Sequence, residues 1–528
     1  MNTNDGMLYL GLSDEGRVAL PLQMANRHGL IAGASGTGKT ITMKVMAEGF
    51  SKAGVPVFLC DVKGDVSGLA EAGAKNDGME KRIDKFGLRD TFVYRDYPVT
   101  FWDIYQEKGH PIRCTVSDMG PSLLSRILGL TPAQEGVLEI VFRIADDRGL
   151  LLLDLKDLRA MLSYVGEHKE EYITTYGNIA TQSLGGILRS LLPLEREGGD
   201  LFFGEPDLDI RDWMRCAPDG RGMINLLSCV KLVQNPTLYA TFLLWLLSEL
   251  FEELPEAGDL DKPRLVFFFD EAHLLFADAP KALVQKIEQV VKLVRSKGVG
   301  VYFVTQSPGD IPDSVLAQLS SRVQHALRAY TPAEQKVIRA TAQAFRPNPA
   351  FQAEEVLTQL GVGHALVSVL DEKGVPGMVQ NTAILCPESL MAPCSQASYQ
   401  AALGTDGMGK YDQSVDSESA YEVLEDQRQA DERQAQLDAE RAAFEAEKAA
   451  FEKQKAKEEE AARKKAEKEA EAQQRKLEKA LEREELQRQK AAERRKAQIE
   501  RQLINTGSQI LKRGLMGTLF GGSSGRRR

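Results

Sequence analysis

Cysteine is scarce in this sequence, with six residues in a chain of 528. The six are scattered: none forms a C-x-x-C pair, and no histidine lies at the spacing of a zinc ligand. This pattern argues against a disulfide framework and against a cysteine-based zinc site. Isolated cysteines in a long chain are typical of buried, reduced thiols, so we expect a cytoplasmic protein.

Long apolar runs are also missing. No uncharged apolar stretch reaches about 18 residues, so the sequence predicts no transmembrane segment. The first residues, MNTNDGMLYLGL, lack the basic and apolar regions of a secretory signal, and we expect none.

Basic residues are fewer than acidic residues over most of the chain. Residues 421–528 carry 26 Lys and Arg against 22 Asp and Glu, which leaves 40 against 54 in the other 420 residues. Broad electrostatic binding of nucleic acid needs clustered lysine and arginine, so the acidic body argues against it. A narrow basic channel is still compatible with this composition, because the local field matters more than the total charge.

From His28 onward, apolar runs of strand length alternate with helical segments. The strand candidates are HGLIAG, VPVFLC, FVYRDYPVTFW, GMINLL, LVFFF, GVYFVT and RVQHALR. Uninterrupted apolar strands are typical of a mostly parallel sheet that is covered on both faces. The sequence therefore predicts an α/β doubly wound domain.

The predicted α/β domain covers residues 28–390 and contains one interruption. Residues 117–220 have apolar positions at helical spacing and almost no strand pattern, which predicts a helical insertion. Residues 1–27 offer only short strands, too few to bury a core alone. Residues 364–385 have the pattern of a hairpin that closes the domain.

The remainder of the chain has a different composition. Residues 391–420 are polar and rich in Ser, Gln and Gly, and we expect a linker. Residues 421–502 contain no Gly or Pro and are rich in Glu, Lys, Arg, Ala and Gln, which predicts a long charged helix. Residues 503–528 are a glycine-rich tail with a basic end, which we expect to dock on a neighbouring surface; contact with a membrane surface is the alternative.

The charged helix carries a short apolar seam, because Leu437, Phe444 and Phe451 are seven residues apart. The first interpretation is a solvated helix stabilised by its own ion pairs. A weak coiled coil that joins subunits or a protein partner is the alternative.

The segment GASGTGKT, residues 33–40, matches G-x-x-x-x-G-K-[ST] at every fixed position and lies between a strand and a helix. In such a loop, backbone N–H groups and the helix amino terminus bind phosphates. Lys39 would contact the β and γ phosphates of ATP, and the Thr40 hydroxyl would bind Mg²⁺. The predicted ATP-binding residues are Gly33, Ala34, Ser35, Gly36, Thr37, Gly38, Lys39, Thr40 and Ile41.

A second motif, LVFFFDEAHLLF, ends a buried strand with Asp270 and Glu271. In open α/β sheets this carboxyl edge is where ligands bind. Asp270 would hold Mg²⁺, and Glu271 would orient and deprotonate the attacking water, which makes it a catalytic residue together with Lys39. The alternative is an exposed acidic pair that caps the next helix. His273 is either a coupling residue or an ordinary histidine at a helix start.

Further polar residues follow neighbouring strands. Gln306 ends the strand GVYFVT and would lie beside Asp270, where it can sense the γ-phosphate or position water. Arg295, Arg322 and Arg328 lie near strand ends, and one of them can serve as an arginine finger in a neighbouring subunit. Each arginine taken alone fits a surface or structural role better.

The loop DVKGD follows the second strand and brings Asp61, Lys63, Gly64 and Asp65 to the same edge of the sheet. This position predicts a role at the nucleotide site or at a central pore. A plain turn is the alternative.

The letters D-E-A-H in LVFFFDEAHLLF also name a class of RNA helicases. Those enzymes have two tandem RecA-like domains and carry S-A-T and Q-x-x-G-R-x-x-R motifs. Neither motif is present, and the chain after Gln306 soon reaches the expected linker and charged helix. The sequence therefore argues against an RNA helicase of this class.

Together these segments resemble the HerA–FtsK superfamily of P-loop ATPases, and within it the bacterial HerA-like C-terminal ATPase family with a helical insertion. The matching segments are GASGTGKT, DVKGD, LVFFFDEAHLLF, KGVGVYFVTQSPGDIP and LSSRVQHALRAYTPAEQKVIRA, in family order over most of residues 8–390. The Walker motifs are general to P-loop proteins, whereas TQSP followed by IP, and RVQHALR, are more specific.

The resemblance implies a RecA-like fold, a homo-hexameric ring, and ATP-driven, Mg²⁺-dependent movement of double-stranded DNA through a central pore. The roles that it implies are Walker A for Lys39 and Thr40, Walker B for Asp270 and Glu271, polar sensor for Gln306 and arginine finger for Arg322. Archaeal HerA carries an N-terminal β-barrel, and only residues 1–27 precede the P-loop strand here, so a barrel that docks a nuclease is not expected.

Three functions are compatible with these motifs. The first is an ATP-driven DNA translocase or helicase that works as a ring. The second is an ATPase that moves or remodels a protein partner, which the acidic body favours. The third is an ATP-switched scaffold in which the long helix contacts the partner.

Overall fold

The computed structural model describes residues 6–276 and 281–480, and within them eleven strands form one sheet. The strands are β1 (Met7–Ser13), β2 (Gly16–Pro21), β3 (Gly29–Ala32), β4 (Val57–Asp61), β5 (Val99–Trp102), β6 (Ile224–Ser228), β7 (Leu265–Phe269), β8 (Val299–Thr305), β9 (Ser321–Gln324), β10 (His364–Ser368) and β11 (Gln380–Ile384). Their order across the sheet is β2-β1-β11-β10-β9-β3-β8-β7-β4-β6-β5.

The sheet has a parallel body and an antiparallel wing. Every pair from β9 to β5 is parallel, whereas β10, β11, β1 and β2 pair antiparallel with their neighbours. β10 and β11 form the hairpin expected at residues 364–385, and β1 pairs with β11, so the amino-terminal strands extend the same sheet. The predicted α/β fold with a mostly parallel sheet is confirmed.

The helices cover both faces of this sheet. They are α1 (Lys39–Lys52), α2 (Asp77–Lys85), α3 (Val116–Ile127), α4 (Pro132–Arg148), α5 (Leu155–Glu167), α6 (Lys169–Tyr176), α7 (Thr181–Arg196), α8 (Gly199–Phe202), α9 (Pro236–Glu253), α10 (Lys281–Val294), α11 (Asp313–Leu316), α12 (Pro332–Gln343), α13 (Ala353–Gln359), α14 (Gln396–Thr405) and α15 (Ala420–Ala480). Helices α3 to α8 follow one another between β5 and β6, where the sequence predicts a helical insertion.

Strand β7 shows why the central strands have no polar alternation. Its Phe267 and Phe269 pack on the face covered by the helical insertion, and its Val266 and Phe268 pack on the face covered by α1. All four side chains are buried. A strand covered on both faces needs apolar residues at every position, and each such side chain stabilises the fold by roughly 1.5–3 kcal/mol.

The predicted strand FVYRDYPVTFW is strand only over Val99–Trp102. The preceding backbone is bonded elsewhere: the N–H of Arg95 donates to the carbonyl of Glu388, and the N–H of Tyr97 donates to that of Leu69. The chain therefore enters the sheet only after Pro98, whose nitrogen has no hydrogen to donate.

Residues 391–420, which we expected to be a linker, fold against the edge of the sheet. They contain α14, whose Tyr399 ring lies 4.3 Å from the ring of Phe101, and further on the Tyr411 ring lies 5.5 Å from Trp102. Phe101 and Trp102 belong to opposite faces of β5. The segment therefore crosses the edge strand β5 and covers it on both faces.

The chain divides into two compact units, the first ending at Gln427 and the second beginning at Arg428. Helix α15 begins in the first unit. In the second unit most of its described side chains are exposed, and they form ion pairs such as Lys464–Glu460 at 2.5 Å. A long charged helix is thus confirmed as far as Ala480.

Two of the three residues of the apolar seam are exposed in the single chain, with 50% of Leu437 and 66% of Phe444 accessible, whereas Phe451 is partly buried. Whether a partner covers the seam stays a prediction. The rest of the expected helix, residues 481–502, and the tail at 503–528 lie outside the described residues. Among the described residues, no helix combines the length and apolar character that crossing a membrane requires.

Candidate functional site

The P-loop joins β3 to α1 at the carboxyl edge of the parallel strands. Gly33 has a φ of 153°, and a Cβ built on it would lie 2.5 Å from the Cβ of His325, so the position requires glycine. The Thr37 hydroxyl donates to the Ala34 carbonyl at 2.7 Å and is part of the turn itself. The predicted residues divide between the loop, with Gly33, Ala34, Ser35, Gly36, Thr37 and Gly38, and the first turn of α1, with Lys39, Thr40 and Ile41.

Lys39 is buried beneath this loop. Its ammonium donates to the backbone carbonyls of Gly33 at 2.7 Å and Ala34 at 3.2 Å. Burial lowers the pKa of Lys39, the nearby Lys63 lowers it further, and the carboxylate of Glu271 opposes both effects. The ammonium is therefore held by two neutral acceptors at the loop, a weaker set of partners than phosphate oxygens.

Asp270 follows β7 and has one carboxylate oxygen in use. Its Oδ1 accepts the backbone N–H of Glu271 at 2.9 Å, and its buried Oδ2 has no hydrogen-bond partner among the residues that the structure describes. Burial and the adjacent Glu271 raise the pKa of Asp270 to about 6, against the opposing charge of Lys63.

A divalent cation fits this orphaned oxygen. Buried polar atoms are normally satisfied, and carboxylate and hydroxyl oxygens are the ligands that Mg²⁺ prefers. Asp270 and the half-buried Thr40, in the first turn of α1, supply both kinds of oxygen. The residues present therefore suit the magnesium that accompanies ATP in P-loop proteins.

Glu271 is the most constrained side chain of the site. Its backbone is left-handed, with a φ of 46°, which is uncommon for a residue other than glycine. Its Oε1 forms an ion pair with the ammonium of Lys63, and its Oε2 accepts a hydrogen bond from Gln306 Nε2 at 3.3 Å and lies 3.2 Å from His273 Nδ1. Burial raises the pKa of Glu271, but Lys63, Gln306 and His273 outweigh it and lower the pKa below its usual value.

The DVKGD loop thus reaches the Walker B residues rather than forming a plain turn. Asp61 organises it, because its carboxylate accepts the backbone N–H groups of Gly64 at 2.7 Å and Val66 at 3.2 Å. Burial and the neighbouring Asp65 raise the pKa of Asp61 to about 6. The loop presents Lys63 to Glu271, a pairing that the sequence pattern did not predict.

Gln306 lies at the end of β8, as predicted, but its contact is with Glu271 rather than with Asp270. The preceding Thr305 hydroxyl donates to Asp310 Oδ2 at 2.9 Å, which fixes the turn after the strand. The amide therefore touches the oxygen of Glu271 that Lys63 leaves free.

The three candidate arginines occupy different places. Arg295 precedes β8 at the amino edge of the sheet, away from the P-loop, and Arg328 follows β9 and is exposed. Arg322 lies within β9, and its guanidinium contacts the backbone carbonyls of Leu316 and Leu319 at 3.4 Å. Burial lowers the pKa of Arg322. Its role as a finger in a neighbouring subunit stays a prediction.

His325 is a functional residue that the sequence analysis missed. It follows β9 and is fully buried behind the P-loop. Its Nδ1 donates to the His364 carbonyl at 2.9 Å, so its Nε2 is the acceptor for the Thr42 hydroxyl at 2.8 Å. The imidazole thereby joins α1 to the wing of the sheet directly behind Gly33. The only feature of the sequence that pointed to His325 was its position in the segment RVQHALR.

Comparison with known proteins identifies the family of this chain. The family model described as "Helicase HerA-like C-terminal" matches residues 9–527. A probable helicase of Methanocaldococcus jannaschii is 31% identical over 154 residues, which is 27% of this chain and 28% of that protein, so the match spans less than a third of its length.

Solved structures that the chain resembles include a bacterial conjugative coupling protein and a VirB4 protein. The conjugative coupling protein TrwBΔN70 has a TM-score of 0.49 at 15% identity over 73% of this chain and 91% of its own. VirB4 of Thermoanaerobacter pseudethanolicus has a TM-score of 0.44 at 15% identity over 74% of this chain and 98% of its own. With the family match, the Walker residues and the mostly parallel sheet in place, the resemblance is confirmed: the chain is a RecA-like P-loop ATP hydrolase and belongs to the HerA-like C-terminal helicase family.

Proposed function

We propose that this protein is a motor that uses ATP hydrolysis to move double-stranded DNA, working as a homo-hexameric ring. The observation that carries the proposal is the grouping of Lys39, Asp270, Glu271 and Gln306 at one edge of the sheet in a chain of this helicase family. The grouping supports hydrolysis; the family membership supports DNA as the cargo.

The proposed roles follow from the contacts of each side chain. Lys39 exchanges the carbonyls of Gly33 and Ala34 for the phosphates of ATP, because a charged acceptor forms the stronger hydrogen bond. Glu271 orients the attacking water and accepts its proton, and Gln306 holds the carboxylate by its second oxygen. Magnesium, when bound near Asp270, supplies charge neutralisation to the phosphates.

The ring and the arginine finger belong to the same proposal. Arg322 is the arginine that would complete the site of a neighbouring copy, and images of the protein with an ATP analogue and duplex DNA test the assembly. A six-fold ring with density through its pore is the expected result. The cytoplasm is the proposed compartment, which six free cysteines support.

The decisive experiment measures ATP turnover with and without duplex DNA. We expect DNA to raise turnover severalfold and Lys39→Ala to abolish turnover in both conditions. Lys156→Ala is the matched control, since this lysine is 54% exposed on α5 and should leave turnover unchanged. DNA without effect on the wild-type rate would contradict the proposed cargo, while hydrolysis itself would stand.

One observation favours a second candidate, an ATPase that moves or remodels a protein. The first 420 residues carry 54 acidic against 40 basic residues, which is an unusual balance for a DNA-binding body. This alternative predicts turnover that responds to a protein partner and not to DNA. The same assay therefore separates the two candidates.

A further inference from the structure

The bond between Lys63 and Glu271 joins residues 208 positions apart in the sequence. The two side chains differ in access to solvent, with 45% of Lys63 exposed and 5% of Glu271. The general base of the site is thus paired, on one of its two oxygens, with a lysine that no Walker motif includes.

The other oxygen of Glu271 is engaged as well. Gln306 Nε2 donates to Oε2 at 3.3 Å, and His273 Nδ1 lies 3.2 Å from the same atom. A base that orients water must offer a free acceptor position in the direction of that water. With partners on both oxygens, the carboxylate of Glu271 is held by its neighbours rather than left free to turn.

The backbone conformation of Glu271 supports the same conclusion. A left-handed residue with a side chain costs roughly 1–3 kcal/mol and persists only where its surroundings enforce it. With its φ of 46°, Glu271 is such a residue. Its backbone N–H donates to Asp270 Oδ1 and its carbonyl accepts from Leu274, while Lys63 and Gln306 hold its side chain. Release of one of these two partners therefore frees the side chain on a backbone that stays fixed.

Lys63 is held within reach by its own loop. Asp61 caps the loop through the N–H groups of Gly64 and Val66, and Gly64 takes a positive φ of 77°. Strand β4, which carries the loop, is hydrogen-bonded to β7, which carries Glu271. Adjacent strands and a preformed turn therefore place Lys63 within reach of Glu271.

We propose that Lys63 is a positioning residue that restrains Glu271, and that phosphate groups of the DNA cargo compete for Lys63 and thereby release the base. The exposure of the two side chains sets the direction of this exchange, because a polyanion outside the chain can approach the half-exposed side chain of Lys63 and not the buried side chain of Glu271. Phosphate oxygens are strong acceptors for such an ammonium. The inference rests on the proposed function for its trigger, while the restraint itself concerns hydrolysis alone.

The restraint is tested by turnover without DNA. We expect Lys63→Ala to raise the basal kcat by about three- to tenfold. A rate change of this size corresponds to the loss of one contact that disfavours the active conformation by about 1 kcal/mol. The KM for ATP should stay within about twofold, because Lys63 is not expected to hold nucleotide. Lys63→Arg keeps the positive charge and should keep the low basal rate.

Lys410→Ala provides a closely matched control. Lys410 is 56% exposed and pairs at 2.6 Å with Asp212, which is 17% exposed, so it repeats the geometry of a half-exposed lysine on a covered acid. Its removal should leave the basal rate unchanged. A basal kcat in Lys63→Ala that equals or falls below the wild-type value overturns the restraint, provided that the variant melts within a few degrees of the wild type.

The trigger is tested by the ratio of turnover with and without duplex DNA. We expect this ratio to fall toward one in Lys63→Ala, because the base is already released, and to stay high in Lys410→Ala. An unchanged ratio in Lys63→Ala overturns DNA as the competitor for Lys63. If DNA leaves the wild-type rate unchanged, the proposed cargo fails, and the basal comparison still decides the restraint.

Discussion

Lowering the pH should destabilise the first unit of this protein through one buried imidazole. His325 donates to the His364 carbonyl and accepts from the Thr42 hydroxyl, an arrangement that only the neutral ring can make. Burial is the main cause that lowers the pKa of His325, from 6.5 to about 4. Between about pH 6.5 and pH 4, His325 is therefore protonated in the unfolded chain and neutral in the folded chain.

The size of the effect follows from the two pKa values. Stability rises with pH wherever the unfolded state binds more protons, so this contribution is complete above the unfolded pKa of 6.5 and is lost as the pH falls toward the folded value near 4. Between pH 7 and pH 5 the loss is about 2 kcal/mol. Solvent does not screen this effect, because the side chain of His325 is fully buried.

Urea unfolding at the two pH values measures this loss, with tryptophan fluorescence as the signal. Trp102, Trp213 and Trp245 are all buried in the first unit and report on it alone. His325→Asn keeps an amide donor but cannot titrate, so the wild type should lose about 2 kcal/mol more than the variant. His28, whose pKa burial also lowers to about 4, is common to both proteins and cancels. Equal losses in both proteins would refute the reasoning.

Two further substitutions test the P-loop and the segment of residues 391–420 that covers strand β5. Gly33→Ala should abolish binding of a fluorescent ATP analogue, because its Cβ would lie 2.5 Å from that of the buried His325 and one of the two segments must move; normal binding would contradict this packing. Asp406→Asn should destabilise the first unit by about 2 kcal/mol near pH 6, since Asp406 lies 3.0 Å from the buried His110. Burial opposes the charge on His110, but Asp406 and Asp412 raise its pKa, so the loss should shrink as the pH rises through that raised value. An equal loss in urea unfolding at pH 9 would argue against the ion pair.

Local patterns were enough to predict which strands and helices carry the candidate nucleotide-binding residues. GASGTGKT stands between a strand and a helix, and Asp270 ends an apolar run, so each motif carries its own structural context. Contacts between segments that are distant in the sequence could not be predicted in this way. Lys63 meets Glu271 across 208 positions, and His325 meets Thr42 across 283, and no periodicity encodes either pair.

Composition misled the prediction for residues 391–420. A polar stretch rich in Ser, Gln and Gly is typical of a linker, yet two aromatic residues in it pack on the sheet and its Asp406 and Asp412 bond His110. Tyr399 and Tyr411 each meet an aromatic side chain of β5, and they do so from opposite faces. Their spacing follows no helix or strand period, because the segment between them passes around the edge of the sheet.

Acidic and basic groups lie together at the P-loop edge before any nucleotide is added. Burial raises the pKa of both Asp270 and Glu271, and for Glu271 the direct contact with Lys63 helps to outweigh that effect. Glu271 has Lys63 in contact and a lowered pKa, whereas Asp270 has no ammonium in contact and a raised one. Binding of ATP with Mg²⁺ would therefore give Lys39 and Asp270 new partners of opposite charge. Control over hydrolysis then falls to the lysine that is half exposed, which is Lys63.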